Sequence, residues 1–242
     1  MIKGLLVDYG GTIDTNGLHW GSVLWESYQK HQVNIDKAAF SKAYSFGERS
    51  LAINPIIKPD HTFYDTLYLK IEQQFKFLKE NGYEVGDALV ASLTKSIAND
   101  CNDFAQRTIE NAKPILAQLA EKYPIVLVSN FYGNIHKVLE VFGIDHFFKQ
   151  VIESAVVGIR KPNPEIYKLG ADFLGLLPEE CVVIGDSFVK DIVPAKELGC
   201  KAIWLNVQGW EESAVINNPA HQADIEITDF NQIVEGIKNM NQ

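Results

Sequence analysis

From about residue 114 onward, short β-branched runs alternate with stretches of helical periodicity, which restricts this part of the chain to βαβ units and a parallel sheet. PIVLVSN (124–130) reads as a buried strand, GNIHKVLEVFG (133–143) as a helix closed by Gly143, and FFKQVIES (147–154) as another strand. The unit then repeats. PNPEIYKLGADFLG (162–175) has Pro164 suited to a helix N-terminus, CVVIGDS (181–187) is a strand, and VPAKELGC (193–200) is helical, with Pro194 tolerable only in its first turn. KAIWLN (201–206) and ADIEIT (223–228) supply two more strands, and Asp229 with Gln232 forms a capping box for a final helix. A further apolar run, LLV before Asp8, opens the chain. The expected fold class is α/β, a doubly wound parallel sheet with a Rossmann-like core, and 242 residues at 46% hydrophobic content are enough to bury it.

Residues 18–98 follow a different rule. Apolar residues recur there at three- and four-residue spacing, with Trp20, Val23, Leu24, Ser27, Tyr28 and His31 on one stripe and Tyr64, Leu67, Tyr68, Ile71, Phe75 and Leu78 on another. This is a helical insert that interrupts the α/β core just after its first strand. The expected division is 1–16 and 100–242 for the core and 17–99 for the inserted α-helical domain.

Several functions are excluded by what the chain lacks. A formal charge of −9 with scattered basic residues does not suit a nucleic-acid partner. No apolar stretch approaches the ~18 residues of a membrane span, and the N-terminus lacks the apolar region of a signal peptide. Cys101, Cys181 and Cys200 show no CxxC spacing, so neither a disulfide nor a zinc site is expected, and the reading is of a cytoplasmic protein in a reducing compartment. SYQK (27–30) and SLTK (92–95) match SxxK but lack SDN and KTG partners, and the six histidines show no HExxH spacing. Trp204 and Trp210 read as core or pocket wall.

Ligands of open α/β sheets bind beyond the carboxyl ends of the strands, so the residues that end strands carry the chemistry. Here they are Asp8, Ser129–Asn130 and Asp186–Ser187, the last followed by Asp191. Each alone could cap a turn. Together they bring two carboxylates and a hydroxyl to one rim, beside a Gly–Gly–Thr loop able to turn N–H groups inward. Such a site suits Mg²⁺, which takes one or two carboxylates plus a substrate phosphate. Lys161, on a loop held by Pro162 and Pro164, is placed to balance the remaining charge.

The ordered set DYGGT (8–12), VLVSN (126–130), RKPNPEIY (160–167) and IGDSFVKD (184–191) resembles the four motifs of the haloacid dehalogenase-like hydrolase superfamily. The resemblance covers roughly residues 1–15 and 110–205, and the helical insert is similar in position to that family's cap domain. It implies an enzyme, a hydrolase acting on a small, phosphorylated metabolite with Mg²⁺ as cofactor. Asp8 would be the nucleophile, and Asp8, Asp186 and the carbonyl of Gly10 would hold the metal. Ser129, Asn130, Lys161 and the amides of Gly11 and Thr12 would hold the transferring group, with Asp191 and Ser187 in support.

Gly10 departs from the family's phosphatases, which have an Asp two residues after the nucleophile to protonate the leaving oxygen. General acid–base help of that kind contributes typically 10²–10⁴-fold. Two alternatives stay open beside phosphatase chemistry. One is C–halogen or C–P cleavage of the dehalogenase or phosphonatase type, the latter using a cap lysine such as Lys30, Lys37 or Lys42. The other is a catalytically weakened relative that binds a phosphorylated ligand.

Overall fold

A computed structural model describes residues 1–83, 86–207 and 222–241. Trp210 lies outside the described residues. After β1 (Gly4–Val7) come four helices in succession: α1 (Trp20–Lys30), α2 (Lys37–Ile53), α3 (Phe63–Glu80) and α4 (Asp87–Ala120). The βα series follows as β2 (Ile125–Ser129), α5 (Ile135–Phe142), β3 (Gln150–Glu153), α6 (Ser154–Val157), α7 (Glu165–Leu174), β4 (Cys181–Gly185), α8 (Val193–Leu198), β5 (Lys201–Leu205), β6 (Ile225–Ile227) and α9 (Ile233–Met240).

All six strands form one parallel sheet in the order β3-β2-β1-β4-β5-β6. The near-continuous apolar runs read from the sequence are what a parallel sheet covered on both faces requires. Alternation along each strand divides the core in two. Leu5, Val7, Leu127 and Ile184 pack with residues of α4, α5 and α9, while Leu6, Val126, Val128 and Val183 pack with residues of α7 and α8. Each such fully buried side chain contributes roughly 1.5–3 kcal/mol.

The strand order fixes where a site can form. From β1 the chain steps outward to β2 and β3, then returns to the other side of β1 with β4 and runs on to β5 and β6. The direction of winding therefore reverses between β1 and β4, and a crevice opens at their carboxyl ends. Val7 pairs with Ile184, and the N–H of Asp8 donates to the Ile184 carbonyl at 2.9 Å, so Asp8 and Asp186 leave the sheet side by side.

The helical segment has its own aromatic core. Tyr28 of α1 stacks on Phe75 of α3 at 5.4 Å between centroids and meets Phe40 of α2 edge-on at 5.0 Å. Thr62 and Asp65 start α3 with a reciprocal capping box. The buried row of α3 includes Thr66, Lys70 and Gln74 beside Leu67, Ile71 and Phe75, whereas Tyr64 and Tyr68, which share the apolar stripe in the sequence, are only partly covered. Helix α4 runs unbroken through residue 100, so no change of element marks the expected junction there. Among the described residues, no helix is long and apolar enough to cross a membrane. Cys101, Cys181 and Cys200 are buried free thiols.

Candidate active site

The turn that carries Asp8 begins where β1 runs out of strand partners. The N–H groups of Thr12, Ile13 and Asp14 all turn back to the carbonyl of Tyr9, and Gly11 adopts φ +95°, a conformation open to glycine. Space imposes the same choice, because a Cβ at Gly11 would run into the Asp186 carboxylate. Gly10 is exposed, and a Cβ built there meets nothing within 4 Å. The missing side chain at position 10 therefore leaves an open place in the cavity wall.

Four elements deliver charged groups to this point. Asp8 ends β1, Asp186 follows β4, Asp191 lies on the turn after it, and Lys161 comes from the loop before α7. Lys161 forms ion pairs with Asp8 and, at 2.7 Å, with Asp191. All three side chains are almost wholly buried. The Tyr167 hydroxyl donates to the same Asp191 oxygen at 2.6 Å, and Ser187 N–H donates to the other at 3.0 Å. Thr12 Oγ1 lies 3.0 Å from Asp8 Oδ2 and 3.1 Å from Asp186 Oδ1, linking the two carboxylates. Carboxylate oxygens of Asp8, Asp186 and Asp191 all lie within 4.8 Å of one another.

Three carboxylates, those of Asp8 and Asp191 buried and that of Asp186 partly so, against one lysine are an unbalanced set. Burial pushes Asp8 up to about 6, against the pull of Lys161, and burial together with Asp8 raises Asp186 well above the carboxylate range. Lys161 is held firmly protonated because its two carboxylates outweigh its own burial. Asp8 and Asp186 would hold a divalent cation that relieves this crowding, and an all-oxygen donor set fits Mg²⁺.

The other expected site residues divide into two groups. Ser129 is buried at the end of β2 and lines the cavity. Asn130 lines it too, but its side chain is engaged elsewhere: Nδ2 donates to the Lys161 carbonyl at 3.1 Å and Oδ1 accepts from the Lys161 N–H at 2.9 Å. It therefore positions the lysine, in contrast with the expectation that it holds the anion. The amides of Gly11 and Thr12 are likewise spent, on Asp14 Oδ1 at 2.7 Å and on the Tyr9 carbonyl at 3.2 Å. Among the described residues, no acceptor pairs with the N–H of Tyr9 or Gly10, so these are the amides of the turn left for an anion. Ser187 caps the turn that carries Asp191, its Oγ accepting from Lys190 N–H at 3.2 Å.

The cavity of about 150 Å³ has a second half that the sequence did not single out. Glu48 of α2 and Lys70 of α3 form an ion pair at 2.5 Å, and the Tyr132 hydroxyl from the core donates to Glu48 at 2.6 Å. Lys70 raises no alarm in the sequence because lysine is common on helices. Its signal is position, between Leu67 and Ile71 on the buried face. By contrast Lys30, Lys37 and Lys42 are exposed. Burial lowers His19 to about 4, helped by Lys190, and burial raises Asp14 to about 7 despite hydrogen bonds from Gly11 N–H and, at 2.9 Å, Trp20 Nε1. Arg160 and Lys190, the neighbours in sequence of Lys161 and Asp191, line the cavity and are exposed.

Comparison with known proteins gives a consistent picture. The family described as haloacid dehalogenase-like hydrolase matches residues 2–199. A glyceraldehyde 3-phosphate phosphatase of Pyrococcus furiosus is 32% identical over 98 residues, 40% of each chain, so the match spans about two fifths of that curated relative. The fold is shared with a HAD phosphatase from Thermococcus onnurineus (TM-score 0.54, 22% identity, 98% of both chains). It is shared equally with a 2-haloacid dehalogenase from Pseudomonas syringae (TM-score 0.53, 19% identity, 99% of this chain and 100% of that one).

Proposed function

The chain belongs to the haloacid dehalogenase-like hydrolase family, and from that premise we propose that it is a Mg²⁺-dependent phosphatase of a small phosphorylated metabolite, with Asp8 as nucleophile. The observation that carries this reading is the crowding of Asp8, Asp186 and Asp191 within 4.8 Å around a single buried lysine. That charge pattern calls for a cation and then for an anion bound to it. We read α1–α3 with the first part of α4 as a cap that closes over the cavity and excludes water.

Lys161 and the Thr12 hydroxyl each hold one oxygen of Asp8, which fixes the direction of the carboxylate. An Asp8 oxygen attacks phosphorus, the bond from phosphorus to the ester oxygen breaks, and the alcohol leaves with a proton. The resulting aspartyl-phosphate is then opened by water, returning Asp8 and releasing inorganic phosphate. Lys161 and the N–H groups of Tyr9 and Gly10 face the charge that develops on the phosphoryl oxygens. Mg²⁺ held by Asp8, Asp186 and the Gly10 carbonyl would supply Lewis-acid neutralisation of that charge. Gly10 has no side chain to pass a proton, so the leaving oxygen takes its proton from water or from the substrate itself.

Gly10 also motivates a second reading, C–halogen cleavage, because a halide leaves without a proton. Imine chemistry of the phosphonatase kind is disfavoured by the cap lysine that reaches the cavity. Glu48 keeps Lys70 protonated, and an ammonium has no lone pair to attack a carbonyl. The deciding experiment is a screen of phosphate esters, phosphonates and 2-haloacids with Mg²⁺ beside the Asp8→Asn variant. Phosphate release that falls about 10⁴-fold in the variant and stops on chelation is expected. Halide release would favour the second reading, and undiminished phosphate release by Asp8→Asn would overturn the mechanism.

A further inference from the structure

The cavity is electrically divided. At its inner end carboxylates outnumber cations. At the other end stand Glu48, Lys70, Arg160 and Lys190, with Asp14 beside Lys70, three cations to two carboxylates. Lys70 is neutralised by its ion pair with Glu48. Among the described residues, neither Arg160 nor Lys190 has a carboxylate within salt-bridge distance or a side-chain hydrogen bond. His19 adds no charge there near neutral pH, its ring being pushed down to about 4. Both free cations act on one spot: Lys190 helps hold Glu48 ionised, and Arg160 stabilises the phenolate form of Tyr132, the residue bonded to Glu48.

Two unpaired cations at the mouth of one cavity, in a chain of net charge −9, are a local reversal of sign. We propose that the substrate carries a second anionic group besides the reacting phosphate, and that Arg160 and Lys190 hold it at the open end of the cavity. The proposal deepens the phosphatase reading and rests on it for the position of the first anion. Arg160 adjoins Lys161 and Lys190 adjoins Asp191 in the chain, so the second anion lies within a small molecule's reach of the first. The substrate class is thus a compact phosphorylated carboxylic acid or a bisphosphate. Both present the same chemistry to a guanidinium and an ammonium, with the guanidinium suited to a bidentate contact.

The test uses matched probes with Mg²⁺. The esters are 2-phosphoglycolate against ethyl phosphate, and propane-1,3-diol bisphosphate against 3-hydroxypropyl phosphate. The non-hydrolysable ligands are 3-phosphonopropionate against propylphosphonate, followed by calorimetry. In the wild type the doubly anionic member is expected to have at least about 10-fold higher kcat/KM, through KM, and a Kd lower by a similar factor. In the Arg160→Gln/Lys190→Gln variant both ratios should fall to about 2-fold, with the neutral members unchanged. Both residues are exposed, and a melting curve matching the wild type confirms the fold. The larger of the two ester ratios tells carboxylate from phosphate. A wild-type ratio near one, or a ratio that survives the double substitution, overturns the proposal. Phosphonates that discriminate while no ester turns over would sink the phosphatase reading alone, and esters that turn over without discrimination would sink the second-anion site alone. Absence of both binding and turnover would sink both.

Discussion

Lys161 and Lys70 line one cavity, and each is buried among a carboxylate partner and a tyrosine hydroxyl, yet the two clusters have opposite balances. Lys161 serves two carboxylates, Asp8 and Asp191, with Tyr167 donating to the second. Lys70 serves one, Glu48, with Tyr132 donating to it. The first arrangement leaves negative charge unmet, which is a demand for a cation. The second is closed on itself, and because Tyr132 comes from the core while Glu48 and Lys70 come from the helical segment, it ties the two together. Similar residues thus build a charge-unbalanced cluster at one end and a strap at the other, and the count of carboxylates per lysine decides which.

Breaking one charged group in each cluster should expose the difference. Lys161→Met leaves Asp8 and Asp191 buried and facing each other, so loss of turnover by about 10⁴-fold and of about 3–5 kcal/mol in a denaturant titration is expected. If turnover survives, the cluster is structural and the contrast collapses. Gly10→Asp acts on the unbalanced end in the other direction. The open space at position 10 accepts a carboxylate without displacing a neighbour, and phosphate-ester turnover should rise about 10²–10⁴-fold with little change in stability. A rise in kcat would mark the missing proton donor as the limiting element, whereas no rise would mean that the leaving group already departs unaided.

The strap gives the smallest effect and a signature in pH. Glu48 is held below its ordinary range: its burial is outweighed by Lys70, which supplies both charge and hydrogen bond, and by Tyr132. A depressed carboxylate adds stability above its unfolded value near 4.5 that is lost as pH falls through the lower folded value. Because the pair is partly open to solvent, Glu48→Gln should cost only about 1 kcal/mol at pH 7. The wild type should lose this increment on acidification below about pH 4.5, in denaturant melts, and the variant should show no such loss. Equal pH dependence in both proteins would remove Glu48 from the strap.

The contrast also explains what a reader of the sequence can see. The core announces itself because a buried parallel strand must be apolar throughout, so Asp8 and Asp186 at strand ends break a pattern. Lys161 and Asp191 are visible through the spacing of prolines and carboxylates around them. Glu48 and Lys70 break no pattern that a sequence displays, since glutamate and lysine are ordinary helix residues and become unusual only when packing α2 against α3 brings them together in the cavity wall. Tyr167, which ends RKPNPEIY, and Asp14, two residues past DYGGT, carry no signal of their own for a related reason: the role of each depends on a partner, Asp191 or Trp20, that only the fold brings near. The spent amides of Gly11 and Thr12 follow from the direction in which the turn closes, which no residue type specifies.

The paired hydrogen bonds between Asn130 and the main chain of Lys161 bear on how this chain can be re-engineered. They clamp the lysine to the tip of β2 as a neighbouring strand would, although thirty residues intervene. The position of the lysine is therefore set by an amide side chain and not by the length of the path between the two. Insertions at the exposed bend at Gly158, just after α6, should be absorbed as longer loop, because lengthening a flexible loop adds only a small closure entropy. Replacing the single amide at position 130 would do what many added residues would not, which is to set the lysine adrift.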